Sequence, residues 1–481
     1  MKGNIIKLTL FACLISLITT SLQSQTLLRE QFINPPSSAR PGVLWDWMGG
    51  LISREGITKD LEAMAAQGIG KIMIMQMPDQ CPYPRQWSYR DYPGKVKVLS
   101  DEWFDLMNFA VGECDRLGME IASFACPGWG HVGGPWVPQD KGTKLMAMTS
   151  VSVSGPNLLD MKLPKPAPAI VGGGGNIIPE WNYAHKLMAK PKENFFRDEA
   201  VLAIPQSGKN EAIALNKVID VSEHLNADGK LTWQVPEGKW TIMRVCLVSE
   251  NGINHPAPPE SFGLEVDRMD PDAVRIVFDN MIGRILREAR AKGYQSFKAF
   301  ETDSYESGWQ DFGLDYRQEF KKRRGYDCTP WLPAWNFQYS GIVKQDPDQN
   351  NIVSMVSTPV VIESKELTAR FHQDMLRTIS ELWTERFQGT LRKLADEHGI
   401  TWMTEPYFKI PLDWTTIGGT STMPGSEFWV GEGGKFGQYI GNAPEIAALY
   451  NRKIAWAEAF TAEAHHSAWR NDPWMFKRSG D

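Results

Sequence analysis

Seven short apolar runs punctuate this chain, and stretches of helical period separate the first of them. Val43–Met48 (VLWDWM) precedes ITKDLEAMAAQGIG, where Ile57, Leu61, Met64 and Ala65 share one face and Gly68 and Gly70 close the segment. Lys71–Met77 (KIMIMQM) follows, then the helical DEWFDLMNFAVGECDRLG ending at Gly118, then Glu120–Cys126 (EIASFAC). Strand–helix units of this length call for parallel strands joined by right-handed crossovers. The rhythm resumes later. PDAVRIVFDNMIGRILREARAKG leads into FKAFETDSYE, and KELTARFHQDMLRTISELWTERFQGTLRKLADEHG leads into TWMTEPY, with MPGSEFW and KIAWAEAFT after it. The expected fold class is α/β: a (β/α)8 TIM-like barrel of about seven strands, carrying a β-rich insert after the third. Too few residues follow Thr461 for a helix, an eighth strand and its helix, so the barrel is expected to be incomplete.

Four segments are expected. Residues 1–24 (MKGNIIKLTLFACLISLITTSLQS) read as a signal peptide, with Lys2 and Lys7 before a short apolar run and small polar residues after it. Residues 25–141 hold the first part of the barrel and 256–481 the second. Between them, 142–255 is the β-rich insert, with strand candidates KLMAMTSVSVSG, AVLAIPQ and KWTIMRVCLVSE. An exported protein is implied, periplasmic or at the cell surface. Leu10–Cys13 resembles a lipoprotein cleavage box, but the apolar run continues past Cys13, so a cleaved signal is preferred. No later segment is long and apolar enough to span a bilayer. The cysteines Cys81, Cys114, Cys126, Cys246 and Cys328 are odd in number and contain no CxxC, which argues against a disulfide framework or a zinc site. A net charge of −6 without a basic cluster excludes a nucleic-acid partner.

The acids carry the functional signal. FKAFETDSYESGW sets an apolar strand against Glu301, Asp303 and Glu306 with no Lys or Arg beside them. Buried carboxylates are costly unless protonated, hydrogen-bonded or metal-bound. Glu405 in MTEPY, Glu427 in GSEFW and Glu458 in AEAFT sit at three further strand ends, and Trp309, Trp402, Trp429 and Trp456 accompany the four sites. In a barrel such strand ends converge on one pocket. Two carboxyls there suit glycoside hydrolysis, one as protonated acid and one as base or nucleophile. Aromatic rings without Arg or a Gly-rich phosphate loop favour a neutral carbohydrate. The surplus of acids suggests a hard cation such as calcium. Three tempting motifs carry less. Gly172–Gly175 lacks a following GK[ST], Asp346–Asn350 departs from the EF-hand pattern at Asn351 and Ser357, and His465-His466 lacks metal-pair spacing.

In order along the chain, PPSSARPGVLWDWMGGLISREGITKDLEAM, PGWGHVGGPWV, ETDSYESGW with KKRRGYDCTPWLP, GSEFW and AEAFT resemble the α-L-rhamnosidases of glycoside hydrolase family 106. That resemblance implies an exported, calcium-dependent, inverting exo-glycosidase acting on terminal α-L-rhamnosyl residues of plant-type polysaccharides or glycoconjugates. It implies Glu306 as general acid, Glu458 as general base and Glu427 as calcium ligand. Trp45, Asp46, Trp129, His131, Glu301, Asp303, Glu405 and Trp429 become candidate substrate-binding residues. Members of the family are usually longer than this chain. A retaining glycosidase of other specificity and an inactive carbohydrate-binding remnant remain as alternative expectations.

Overall fold

The computed structural model describes residues 28–78, 94–166, 195–206, 211–254, 256–305, 310–335, 360–407, 412–431, 436–462 and 472–480. Residues 1–24, Cys81, Gly172–Gly175, Glu306, Trp309, Asp346–Asn350 and His465-His466 lie outside them.

The strands among the described residues, in chain order, are β1 (Gly42–Met48), β2 (Lys71–Met77), β3 (Glu120–Phe124), β4 (Gly133–Gly134), β5 (Lys144–Lys162), β6 (Phe196–Pro205) and β7 (Ile219–Asp220). They continue with β8 (Lys230–Ser249), β9 (Leu264–Glu265), β10 (Phe297–Thr302), β11 (Thr401–Thr404), β12 (Met423–Val430), β13 (Phe436–Ile440) and β14 (Trp456–Thr461). In the principal sheet β1, β2, β3, β10, β11, β12 and β14 are parallel neighbours in that order. These seven curl into an incomplete TIM-like barrel, with β1 and β14 at its open ends. They are the seven runs expected from the sequence. The addition is β13, which pairs antiparallel with β12.

Both faces of this sheet are covered, so its strands are nearly continuous in apolar residues. On the helix side Trp47, Ile72, Ile74, Ile121, Phe300 and Trp402 join Trp103, Phe104, Val277 and Ile285 in the main core. On the inner side Met73, Met75, Ala122, Phe124 and Ala299 form a smaller cluster, with Trp129, Met403 and Trp456 packed against it. Local signals set the helix ends. Ser53 accepts from Gly56 N–H at the start of Arg54–Ala66, and Ser100 accepts from Trp103 N–H at the start of Asp101–Leu117. The latter helix stops at Gly118, whose φ of 66° suits a residue without Cβ.

Two helices differ from the expectation of regular runs. The one before β10 breaks at Met281 into Pro271–Asn280 and Ile282–Ala291. The one before β11 has a π segment, Trp383–Gln388, between Lys365–Leu382 and Gly389–His398. Between β3 and β10, β5, β8, β6 and β7 make a separate antiparallel sheet in that spatial order. β8 begins at Lys230, upstream of the run KWTIMRVCLVSE, because it pairs with β5 from Lys144↔Ser249 to Lys162↔Lys230. This sheet has its own core around Leu159, Val201, Leu231, Trp233 and Ile242. A fully buried Lys144–Asp267 pair at 2.8 Å ties it to the chain ahead of β10. Cys114, Cys126, Cys246 and Cys328 are free and buried, and burial pushes the Cys114 thiol up to about 12. No described helix is long and apolar enough to cross a membrane.

Candidate active site

Strand alternation determines which side chains enter the barrel. In β10 Phe300 packs toward the helices, so Ala299 and Glu301 face inward. Glu301 stands opposite Phe124 on β3 and Met403 on β11, and Asp46 stands opposite Met75 on β2. Further along the sheet Glu427 stands opposite Glu458. The inner face is therefore apolar low in the barrel and acidic toward the strand C-termini, where a barrel assembles its site.

Asp303, just past β10, Glu405, just past β11, and Glu458 on β14 each place a carboxylate oxygen within 4.8 Å of the other two. Asp303 and Glu405 are buried, whereas Glu458 is half-buried at the rim. Ser304 N–H donates to Asp303 Oδ1 at 2.6 Å. Thr461 Oγ1–H donates to Glu458 Oε1, and Trp429 Nε1–H to Glu427 Oε2 at 2.7 Å. Neither carboxyl oxygen of Glu301 has a hydrogen-bond partner, nor does Glu405 Oε1.

The electrostatics follow from this crowding. Burial, then the charges of Asp303 and Glu458, hold the Glu301 carboxyl well above the usual carboxylate range. Burial raises Glu405 too, and Asp303, Glu458, Glu427 and Glu301 reinforce it. Glu458 is raised by burial and by Asp46, against a lowering contribution from the Thr461 hydroxyl. Asp46 keeps solvent contact at the end of the sheet, yet the protein around it raises its carboxyl by burial. The charges acting on Glu301 and Glu458 are all negative. Carboxyls so placed cannot all ionise without a counter-charge.

Behind the acids is a packed polar wall. The Tyr305 ring stacks on His131 with centroids 4.1 Å apart, meets Trp383 edge-on at 5.4 Å, and its hydroxyl accepts from Gln388 Nε2. The π segment carries both Trp383 and Gln388, and its wider turn is a common device near functional sites. Arg268 Nη2 donates to Glu265 Oε2 at 3.0 Å and its guanidinium lies over Trp383. Burial holds Glu265 up to about 7, and burial with Arg268 holds His131 far below the usual histidine range, hence neutral. Tyr305 N–H donates to Tyr407 O at 3.0 Å, which fixes the chain up to the residue before Glu306.

Comparison with known proteins decides the family. Residues 33–210 and 184–481 match glycoside hydrolase family 106, described as alpha-L-rhamnosidase. The chain belongs to glycoside hydrolase family 106. A Formosa agariphila protein, provisionally named a beta-glucuronidase, is 29% identical over 95% of this chain and 36% of its own length. A rhamnosidase structure from Novosphingobium sp. PP1Y superposes with a TM-score of 0.71 at 22% identity, over 94% of this chain and 54% of that one. The latter likeness shows the fold. This family 106 chain thus spans about a third of the one relative and about half of the other.

Within this family 106 barrel, Asp46, Glu301, Asp303, Glu405, Glu427 and Glu458 come to one end of the inner face, with Trp429 hydrogen-bonded to Glu427 and Trp129 against the inner cluster. Two candidates fall elsewhere. Trp45 alternates with Asp46, so it points to the helix-side core, edge-on to Trp47 at 5.5 Å. His131 is buried against Tyr305 and Phe387, with both ring nitrogens unpartnered. Among the described residues, the acid cluster that could hold a cation is Asp303, Glu405 and Glu458, without the expected Glu427. Three residues of the site escaped sequence reading. Tyr407 shares the acids' charge field, its phenol raised by burial and then by Glu405 and Glu427. Its spacing of two from Glu405 was the available signal. Glu265 and Arg268 gave none, because a short strand outside the βα rhythm carries the first and a loop the second.

Proposed function

We propose that this chain carries the hydrolytic site of an inverting exo-glycosidase for terminal α-L-rhamnosyl residues, assisted by calcium. One observation supports the reading above others: three strand-end carboxylates gather within 4.8 Å, and the charges that act on Glu301, Glu405 and Glu458 are those of other acids. Glu458 suits the general base, because it is the one of the three that keeps solvent contact while its neighbours are buried. Glu306 is assigned as general acid, following directly on the clamped Tyr305. Glu301, whose carboxyl burial holds well above the usual carboxylate range and whose oxygens have no hydrogen-bond partner, is available to donate a hydrogen bond to a sugar hydroxyl when protonated.

Calcium fits the donor set. Two oxygens on one calcium ion lie up to about 5 Å apart, since each bond is about 2.3–2.6 Å. Asp303 and Glu405 meet that limit and would hold the ion, with the unpartnered Glu405 Oε1 a ready ligand and the base Glu458 within 4.8 Å of both. When bound, the ion would offset the acids' repulsion and offer positions for sugar hydroxyls. Excess negative charge also argues for a neutral sugar such as rhamnose over a uronic acid, whose carboxylate would face repulsion. The exported location implied by residues 1–24 agrees with polymeric or glycoconjugate substrates.

Retention has one observation in its favour. One carboxylate oxygen of Glu405 lies within 4.8 Å of one of Glu458, a closeness compatible with the about 5–5.5 Å spacing of retaining pairs. The test of the main reading is L-rhamnose release from an aryl α-L-rhamnoside, with calcium and with chelator, by the native chain and by Glu458→Gln. Calcium-dependent release that Glu458→Gln abolishes supports the assignment. Unchanged release by Glu458→Gln refutes the role given to that residue.

A further inference from the structure

β12 and β14 carry Glu427 and Glu458 side by side. On β12 the donor to the acid is Trp429, two residues on, and a spacing of two keeps both on the same face. On β14 the donor is Thr461, three residues beyond Glu458. In a regular strand residues three apart point to opposite faces, so this bond needs a device.

The register shows the device. Phe428 pairs with Ala459 and Trp429 with Thr461, which leaves Phe460 without a counterpart. Phe460 is a bulge residue, and its φ of 67° lies in the left-handed region that an aromatic side chain seldom adopts. Its ring packs on Phe428 at 5.0 Å and on Phe476 of the helix Pro473–Gly480 at 4.9 Å. The inserted residue reverses the parity of the strand. Thr461 thereby returns to the face of Glu458, beside Trp429.

We propose that the Phe460 bulge makes Thr461 a positioning residue for Glu458: its hydroxyl fixes Oε1 and leaves Oε2 to face the attacking water. Strain at a bulge next to an active-site acid is the usual setting for such a device. The inference rests on Glu458 being the general base, so its test runs beside Glu458→Gln.

Thr461→Val keeps size and β-branching but removes the donor, while Thr461→Ser restores it. The expected result is a kcat about ten- to a hundredfold lower in Thr461→Val with KM unchanged, and wild-type kcat in Thr461→Ser. Wild-type kcat in Thr461→Val, or a Thr461→Ser as impaired as Thr461→Val, overturns the proposal. If Glu458→Gln is inactive and Thr461→Val is not, the positioning role alone fails. If Glu458→Gln turns over normally, both fail. Crystal structures carry the same test without turnover. The Glu458 carboxylate is expected to hold its orientation in Thr461→Ser and rotate in Thr461→Val, and an unmoved carboxylate in Thr461→Val overturns the proposal.

Discussion

Calcium binding to this site should expel protons, and the structure sets the scale. Asp303, Glu405 and Glu458 bring carboxylate oxygens within 4.8 Å of one another. At that separation two unit charges repel by about 3.5 kcal/mol at an effective dielectric constant of about 20. Since 4.8 Å is the outer limit of the three separations, this is a floor for each pair. Burial acts in the same direction on Glu405 and Glu458. The metal-free cluster therefore holds a proton more tightly than an isolated carboxyl would, and a divalent ion must displace that proton. Cation affinity should rise with pH, by about tenfold per pH unit for each proton released. The assay is calcium titration calorimetry at pH 7 in two buffers of different ionisation enthalpy. The difference in observed heat, divided by the difference in ionisation enthalpy, should give about one proton per ion. Saturable binding with no buffer dependence would refute the electrostatic reasoning, and absence of saturable binding would refute the cation site itself.

Further outcomes follow from other buried charges. Glu301 is neutral in the fold at pH values where the unfolded chain ionises it, so stability falls as pH rises above the ordinary glutamate value. Glu301→Gln removes that loss, and its advantage over the wild type in urea unfolding should be larger at pH 8 than at pH 5. Lys144→Ala strands Asp267 inside the protein and should destabilise it by about 3–5 kcal/mol in the same assay. Calcium at a hundred times its dissociation constant should stabilise the wild type by about 2.7 kcal/mol, seen as a higher Tm, and Glu405→Gln should reduce the gain.

Much of the barrel was legible because its period is carried by local signals. Ser53, Ser100 and Gly118 punctuate two helices, and each of the seven parallel strands corresponds to a run that the sequence sets off. The acids were legible for the same reason: they end those runs. Direction within a strand was harder to read. Trp45 was expected at the substrate, but alternation with Asp46 turns it to the helix side, and which of the two faces inward depends on register with β2. Composition hid the rest. The π turn that aims Gln388 at Tyr305 has no residue signature, and the bulge at Phe460 places an aromatic where glycine would be expected. β13 went unrecognised because it is a short antiparallel addition outside the βα rhythm.

The central claim is that an acid and a base on separate strand ends of this barrel hydrolyse an α-L-rhamnosyl bond with inversion. Time-resolved proton NMR of an aryl α-L-rhamnoside digest with this chain and calcium tests it most directly, by identifying the first anomer of L-rhamnose to appear. The account predicts the β anomer, followed by mutarotation. The α anomer appearing first would contradict it and assign the chemistry to a retaining pair such as Glu405 and Glu458.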